Sequence, residues 1–318
     1  MNNAGSEAQL HQAESNEHNR WVIGDVTITR IVEDEVHGLP PHLVLVDLVP
    51  QRVQEFPWLK PHFADDQGFL SLSVHAFVIE SCGRRIIVDT CVGNDKRRST
   101  EVWNNKQGDF LERLEASGFP AKSIDTVLCT HMHVDHVGWN TQWDGSNWVP
   151  TFKNASYLFG RLEWDHWQKV EVRECTKDIG MNVLDAEEVF LDSIVPIVNA
   201  GLHQLVDQNY QITKEVRLIP TPGHTPGHVS IAIESQGKKA VITGDMIHHP
   251  VQIADPDIAS NVDFDSETAR STRQSFLEHQ CGSDTLVLGT HFSTPTAGWI
   301  IRGTGGYVFC QSQAIASE

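Results

Sequence analysis

The 318-residue chain predicts an α/β fold in one continuous domain. Short β-type apolar runs alternate with helical stretches along most of its length, and no Pro/Gly/Ser-rich linker divides it. Metal-ligand residue types recur just after several of the expected strands.

The elements follow in order. Residues 1–19 are polar and acidic and read as a flexible N-terminal tail, leaving 20–318 as the domain. From Trp21 the apolar residues Val22, Ile23, Val26, Ile28 and Ile31 predict a strand pair turning at Gly24-Asp25. Residues 37–69 hold five prolines together with Phe56, Trp58, Phe63 and Phe69, a length of irregular chain that usually has a functional role. Strands are expected at Leu70–Glu80 and Arg85–Asp89, and a helix at Phe110–Ala116 closed by Gly118. A short strand, Thr126–Thr130, runs into a His-rich turn. Strand Ser156–Phe159 precedes an aromatic helix with Trp164, His166 and Trp167, and a further helical stretch lies near 186–199. Strands Val216–Ile219, Val229–Ile233, Ala240–Thr243 and Leu286–Leu288 follow, with a helix from about Ser266 to His279 capped by Asp265. A hairpin of Trp299–Ile301 and Tyr307–Phe309 closes the chain.

Charge narrows the partners. With 24 Lys+Arg against 42 Asp+Glu the formal charge is −18, which repels both a phosphate backbone and anionic lipid. The longest basic run is Lys96-Arg97-Arg98, so neither nucleic acid nor a membrane is an expected partner. No apolar stretch approaches a membrane span, and no apolar region follows a basic start as in a secretory signal. Six scattered cysteines form no C-x-x-C pair, so a reduced, cytoplasmic setting is expected. The composition is unusual in its 17 histidines.

His131-Met132-His133-Val134-Asp135-His136 concentrates them. Residues i and i+2 leaving a strand point to one side, so His131 and His133 can grip one ion, with Asp135 and His136 aimed at a neighbouring point. Imidazole nitrogen and carboxylate oxygen suit Zn²⁺ and related first-row ions. Three later strands end alike, in Thr221-Pro222-Gly223-His224, Gly244-Asp245 and Gly289-Thr290-His291.

This ordered set, from about Trp21 to Phe309, resembles the metallo-β-lactamase superfamily. The resemblance implies an αβ/βα sandwich of two mixed sheets flanked by helices, with a dinuclear centre between them. His131, His133 and His224 would hold one divalent ion; Asp135, His136 and His291 a second; Asp245 would bridge both. Of the tandem Thr-Pro-Gly-His repeats, the resemblance implies that the first supplies the ligand, His224, and that His228 of the second has a supporting role. Asp89 resembles the aspartate that fixes a ligand histidine's tautomer.

The implied reaction is hydrolysis. Two divalent ions, Zn²⁺ first with Mn, Fe or Co as alternatives, generate a bridging hydroxide that attacks a lactone or ester carbonyl, with aryl phosphotriesters as a side reaction. The resemblance implies Asp135 and Asp245 as the catalytic carboxylates, with Asp135 also accepting or shuttling a proton. The methyl parathion hydrolase and N-acyl-homoserine lactonase group is the nearest in look, and a homodimer is implied with it. A mononuclear iron oxidoreductase of persulfide-dioxygenase type and a glyoxalase II-like thioesterase are the alternatives. Full retention of Asp135, His136 and His291 argues against the first, and the 27 residues after His291 are too few for the helical domain of the second. Trp139, Trp143 and Trp148, with Trp58, Phe63 and Phe69, are candidate walls of an apolar substrate pocket. His248 and His249 follow Asp245, with a place beside the metals and a surface role both open.

Overall fold

A computed structural model describes residues 19–173 and 184–311. The tail expected at 1–19 lies outside the described residues except for Asn19. Fifteen strands form two mixed sheets and one small hairpin among these residues.

The first sheet has the order β1 (Arg20–Ile23), β2 (Val26–Leu39), β3 (Leu70–Ser81), β4 (Arg84–Val88), β5 (Thr126–Leu128), β8 (Ser156–Gly160), β9 (His203–Val206). The hairpin β6 (Thr141–Trp143) and β7 (Trp148–Pro150) stands apart from it. The second sheet runs β10 (Val216–Pro220), β11 (Val229–Ser235), β12 (Lys238–Ile242), β13 (Leu286–Leu288), β14 (Ala297–Gly303), β15 (Gly306–Cys310). Both sheets mix directions: β4, β5, β8 and β9 are parallel neighbours, as are β12 and β13.

Period-two patterning decides what each face buries. On β3 and β4, Phe77, Ile79, Ile86 and Val88 meet Val229, Ile231, Ile233, Ile242 and Leu288 of the second sheet in a core between the sheets. Their alternates Val74, Ala76, Val78 and Ile87 face outward and pack beneath α2 (Phe110–Ala116), counted after α1 (Pro50–Gln54). Helix α3 (Arg161–Trp167) and the helical stretch α4 (Ala186–Val189) to α5 (Val195–Asn199) cover the same side. On the far side, Val241, Val287 and Ile300 pack under α6 (Val251–Ala254), α7 (Ser266–Gln280) and the 45–72 segment. The result is the expected αβ/βα sandwich.

Some details differ from expectation. β2 runs through Leu39, so the irregular segment starts later than residue 37. Its strand character survives because bulges at Val32/Asp34 and Val36/Leu39 keep it paired with β3. β6, β7 and β9 were not anticipated, being only three or four residues each. A π-turn, Phe190–Ile194, interrupts the helix expected at 186–199. Asp265 caps α7 as expected, its side chain accepting from the Thr268 amide.

Candidate metal centre

Topology gathers the ligand-type residues. β4 and β5 are parallel neighbours in one sheet, as are β12 and β13 in the other, and β10 runs in the same direction as β12 across β11. Asp89, His131, His224, Asp245 and His291 all follow the C-terminal ends of these strands, so they meet at one edge of the sandwich.

Two groups result. In the first, His224 Nε2 lies 3.1 Å from His131 Nε2 and 2.9 Å from His133 Nδ1. In the second, His136 Nε2 and His291 Nε2 are 3.3 Å apart, and each is 3.5 Å from an oxygen of Asp135. Asp245 lies between the groups: its Oδ2 is 3.5 Å from His224 Nε2 and 3.3 Å from His136 Nε2, while Oδ1 is 3.2 Å from His291 Nε2.

The outward nitrogens are spoken for. His224 Nδ1 meets Asp263 Oδ1 at 3.0 Å, His136 Nδ1 meets Asp89 Oδ2 at 3.0 Å, and His291 Nδ1 donates to the Ser73 carbonyl at 3.0 Å. His131 Nδ1 faces the Thr130 hydroxyl at 3.0 Å. With these N–H groups turned outward, the Nε2 lone pairs of His131, His136, His224 and His291 point inward at one another. Lone pairs about 3 Å apart repel unless a cation lies among them, and Asp245 Oδ1 is buried with no hydrogen-bond donor. The donor set is therefore chemically suited to divalent cations.

Electrostatics agree. Burial, reinforced by the neighbouring imidazoles, pulls His131 and His133 well below the ordinary histidine value and keeps them neutral. Burial also opposes a proton on His136, but Asp245, Asp135 and Asp89 outweigh it and raise that group well above the usual value. His291 is raised to about 9 against burial, chiefly by Asp245. The carboxylate end of the centre thus attracts positive charge, which a metal ion supplies more effectively than protons.

His228 stands behind Asp245. Its Nε2 accepts from the Asp245 amide at 2.8 Å and its Nδ1 donates to the Thr221 carbonyl at 3.0 Å, fixing the strand end that delivers the carboxylate. Gly244 lies at φ +55°, and a Cβ there would sit 2.5 Å from His228 Nε2, so only glycine fits. Asp89, itself at φ +58°, also accepts from the Thr130 amide at 2.8 Å. It thereby ties His136 to the exit of β5.

A cavity of about 430 Å³ opens above the centre. His133, Asp135, Asp245, His248 and His291 form its floor, and Val36, Leu39, Leu43, Val44, Leu72, Val74, Val102, Trp103, Leu184 and Val262 form its walls. The expected aromatics lie elsewhere. Trp139 is buried against Phe110, with its indole N–H on Glu33 at 2.6 Å. Trp143 and Trp148 pack edge-to-face beside a different surface cavity with Arg97 and Leu191. Phe63 is wholly buried among Phe292, Phe309 and His249, while Phe69 and Trp58 lie off the cavity. Of the two histidines left open, His248 is at the floor, its Nε2 3.2 Å from Asp245 Oδ2. His249 is structural: Nε2 donates to the Phe63 carbonyl, and Nδ1 accepts from the Val251 amide. Asp263 and the apolar wall at 36–44 went unread in the sequence. A single loop aspartate has no local pattern, and the wall residues lie nearly a hundred positions before the histidine motif.

Clusters of metal-ligand residues at one edge between two mixed sheets, roofed by an apolar cavity, point to a class of metal-binding α/β scaffold. A sequence profile of the metallo-beta-lactamase superfamily matches residues 71–291, and the chain belongs to that superfamily. An N-acyl homoserine lactonase of Bacillus sp is 24% identical over 185 residues, covering 54% of this chain and 63% of that one. The beta-lactamase-like protein 2 homolog of Drosophila melanogaster is 28% identical over 176 residues, covering 54% and 46%. The matches thus span less than two thirds of these curated relatives. Among solved structures, the hydrolase AbOPH superposes with TM-score 0.77 at 27% identity, covering 92% of this chain and 97% of that one. AidC, a dizinc quorum-quenching lactonase, superposes with TM-score 0.75 at 20% identity over the same shares and supports the fold. No helix among the described residues is long and apolar enough to cross a membrane.

Proposed function

We propose that this protein is a dinuclear metal-dependent hydrolase of neutral lactones or esters bearing an apolar chain. The observation that carries the reading is the cavity: ligand residues of both clusters at its floor, walls that are mainly aliphatic with Trp103 among them, and no Lys or Arg among the described lining residues. A substrate with carboxylates far from its reacting carbon would find no counter-charge there. Neutral aryl phosphotriesters satisfy the same walls and are the expected side activity. The lactonase relative and the AidC fold are consistent with this substrate class.

His131, His133 and His224 would hold one ion, Asp135, His136 and His291 the other, with Asp245 shared. Divalent ions bound there, most simply Zn²⁺, would supply a hydroxide nucleophile at neutral pH and polarise the carbonyl under attack. The protein's own groups do the rest. Asp135 has a partly exposed side chain at the cavity floor, placed to take a proton from the nucleophile and return it to the leaving alkoxide. The apolar walls hold the substrate chain and exclude water, which strengthens each polar contact at the floor. Asp89, Asp263 and the Ser73 carbonyl keep three ligand imidazoles in the tautomer that points Nε2 inward.

The test is metal quantification followed by a hydrolysis panel of lactones, aryl esters and phosphotriesters, each with short and long apolar chains. Turnover of the lactones or esters, rising with chain length and lost on chelation, is expected. Turnover of none would refute the substrate class.

A further inference from the structure

Glu163, the third residue of α3, is fully buried and belongs to neither ligand cluster. Its carboxylate nevertheless accepts four hydrogen bonds. Oε1 takes the Met132 amide at 3.0 Å and the Trp167 indole N–H at 2.6 Å. Oε2 takes the Thr225 hydroxyl at 2.8 Å and the Gly227 amide at 3.1 Å.

The donors belong to both loops that build the three-histidine cluster. Met132 separates His131 from His133, and Thr225 directly follows His224. Trp167 adds a third hold, its ring packed edge-on against His133 at 5.5 Å. The second Thr-Pro-Gly of the tandem repeat gains a purpose here. It seats the chain against the start of α3 so closely that a Cβ at Gly227 would lie 2.2 Å from the Glu163 nitrogen. A buried carboxylate is costly, and satisfaction of both oxygens by donors on two separate loops is what makes it tolerable.

We propose that Glu163 is the positioning residue of the three-histidine cluster: one carboxylate locks the His131–His133 loop and the His224 loop in register, so that their nitrogens converge on one point. The inference rests on the reading that this cluster binds a metal ion. Three of the four bonds address these two loops, and the fourth comes from Trp167 of the same helix, whose ring packs on His133, so the dependence is selective. The cluster built from Asp135, His136 and His291 leans on Asp89 and Ser73 instead.

The experiment is titration of Zn²⁺ into metal-free full-length protein, followed by calorimetry, with Co²⁺ absorption as a second readout. In Glu163→Gln the amide NH₂ must face donors that now have no acceptor. One of the two ions is expected to bind about 10–100-fold more weakly, the other unchanged, with an altered Co²⁺ spectrum. Thr225→Val, which removes one donor and keeps the carboxylate, is expected to weaken the same ion by a smaller factor, and it carries the test if Glu163→Gln does not fold. Two unchanged affinities with only a lower melting temperature of the metal-free protein would show a merely structural role and overturn the proposal. Wild-type protein that takes up no metal would overturn the metal-centre reading itself, and the proposal with it.

Discussion

Replacing Asp89 by Asn is the sharpest test of how the second cluster is set. Asp89 is buried and accepts from the Thr130 amide, the Thr130 hydroxyl and His136 Nδ1, at 2.8, 2.9 and 3.0 Å. Asparagine tolerates the left-handed backbone at φ +58°, so the change acts on the side chain alone. If its carbonyl keeps the Thr130 amide, its NH₂ confronts the N–H of His136. The imidazole then has to change tautomer, which puts a proton on Nε2 and points it at Asp245, 3.3 Å away, where a cation would sit. Losing one charge-assisted hydrogen bond costs about 1.5–3 kcal/mol. At about 1.4 kcal/mol per decade, that is roughly 10–100-fold in affinity for one ion. Competition with a chelator, resolved into two steps, measures it. The step that weakens should be the one abolished in His291→Ala. If neither step changes, or if the weakened step is the one abolished in His133→Ala, the assignment of Asp89 to the second cluster is wrong.

Three further outcomes follow from the same geometry. Each methylene added to the acyl chain of a neutral substrate should raise kcat/KM by up to about fourfold until the cavity is filled, from about 0.8 kcal/mol per buried CH₂; a flat chain-length series would contradict the apolar wall. Phe63→Ala should cost about 3–5 kcal/mol of stability by opening a core cavity while leaving KM unchanged, as chemical denaturation and steady-state kinetics would show. Burial pulls His249 down to about 4 even though the Phe63 carbonyl, accepting from Nε2, favours the proton; the bond that Nδ1 accepts from the Val251 amide exists only in the neutral ring. The unfolded chain titrates near 6.5 and binds the proton first. His249 therefore contributes stability above pH 6.5 that is lost as pH falls towards 4, about 3 kcal/mol in all. In metal-free protein the melting temperature of His249→Gln should depend less steeply on pH over that window than wild type; equal slopes would contradict it.

Sequence reading went furthest where chemistry is local. His131, His133, Asp135 and His136 occupy six consecutive residues, and the spacing alone declares a shared purpose. Small residues after β-type runs did the same for His224, Asp245 and His291. The α/β class was legible in the succession of short β-type runs and helical stretches, and the sandwich was implied by the resemblance; in the fold the two faces of β3 and β4 feed different cores. What stayed hidden is whatever the fold assembles from distant, individually ordinary residues. Glu163 looks like any acid in the first turn of a helix, and Asp263 like any loop aspartate. The pocket was misread for a physical reason. Trp139 and Phe63 are large and lie near suggestive segments, but large aromatics are chiefly core material, and here the indole of Trp139 is spent on Glu33. The wall comes instead largely from Val36, Leu39, Leu43 and Val44, apolar residues unremarkable until the end of β2 and the turn after it carry them over the ligand clusters.

The proposed function requires two cations at one edge of this sandwich, acting on a neutral, apolar substrate. Its most direct test is to strip the protein with a chelator, add back Zn²⁺ in steps, and follow hydrolysis of a long-chain lactone together with bound metal. Uptake of two ions per chain is expected, with turnover appearing only as both sites fill. Uptake of no metal, or hydrolysis undiminished in the stripped protein, would contradict it.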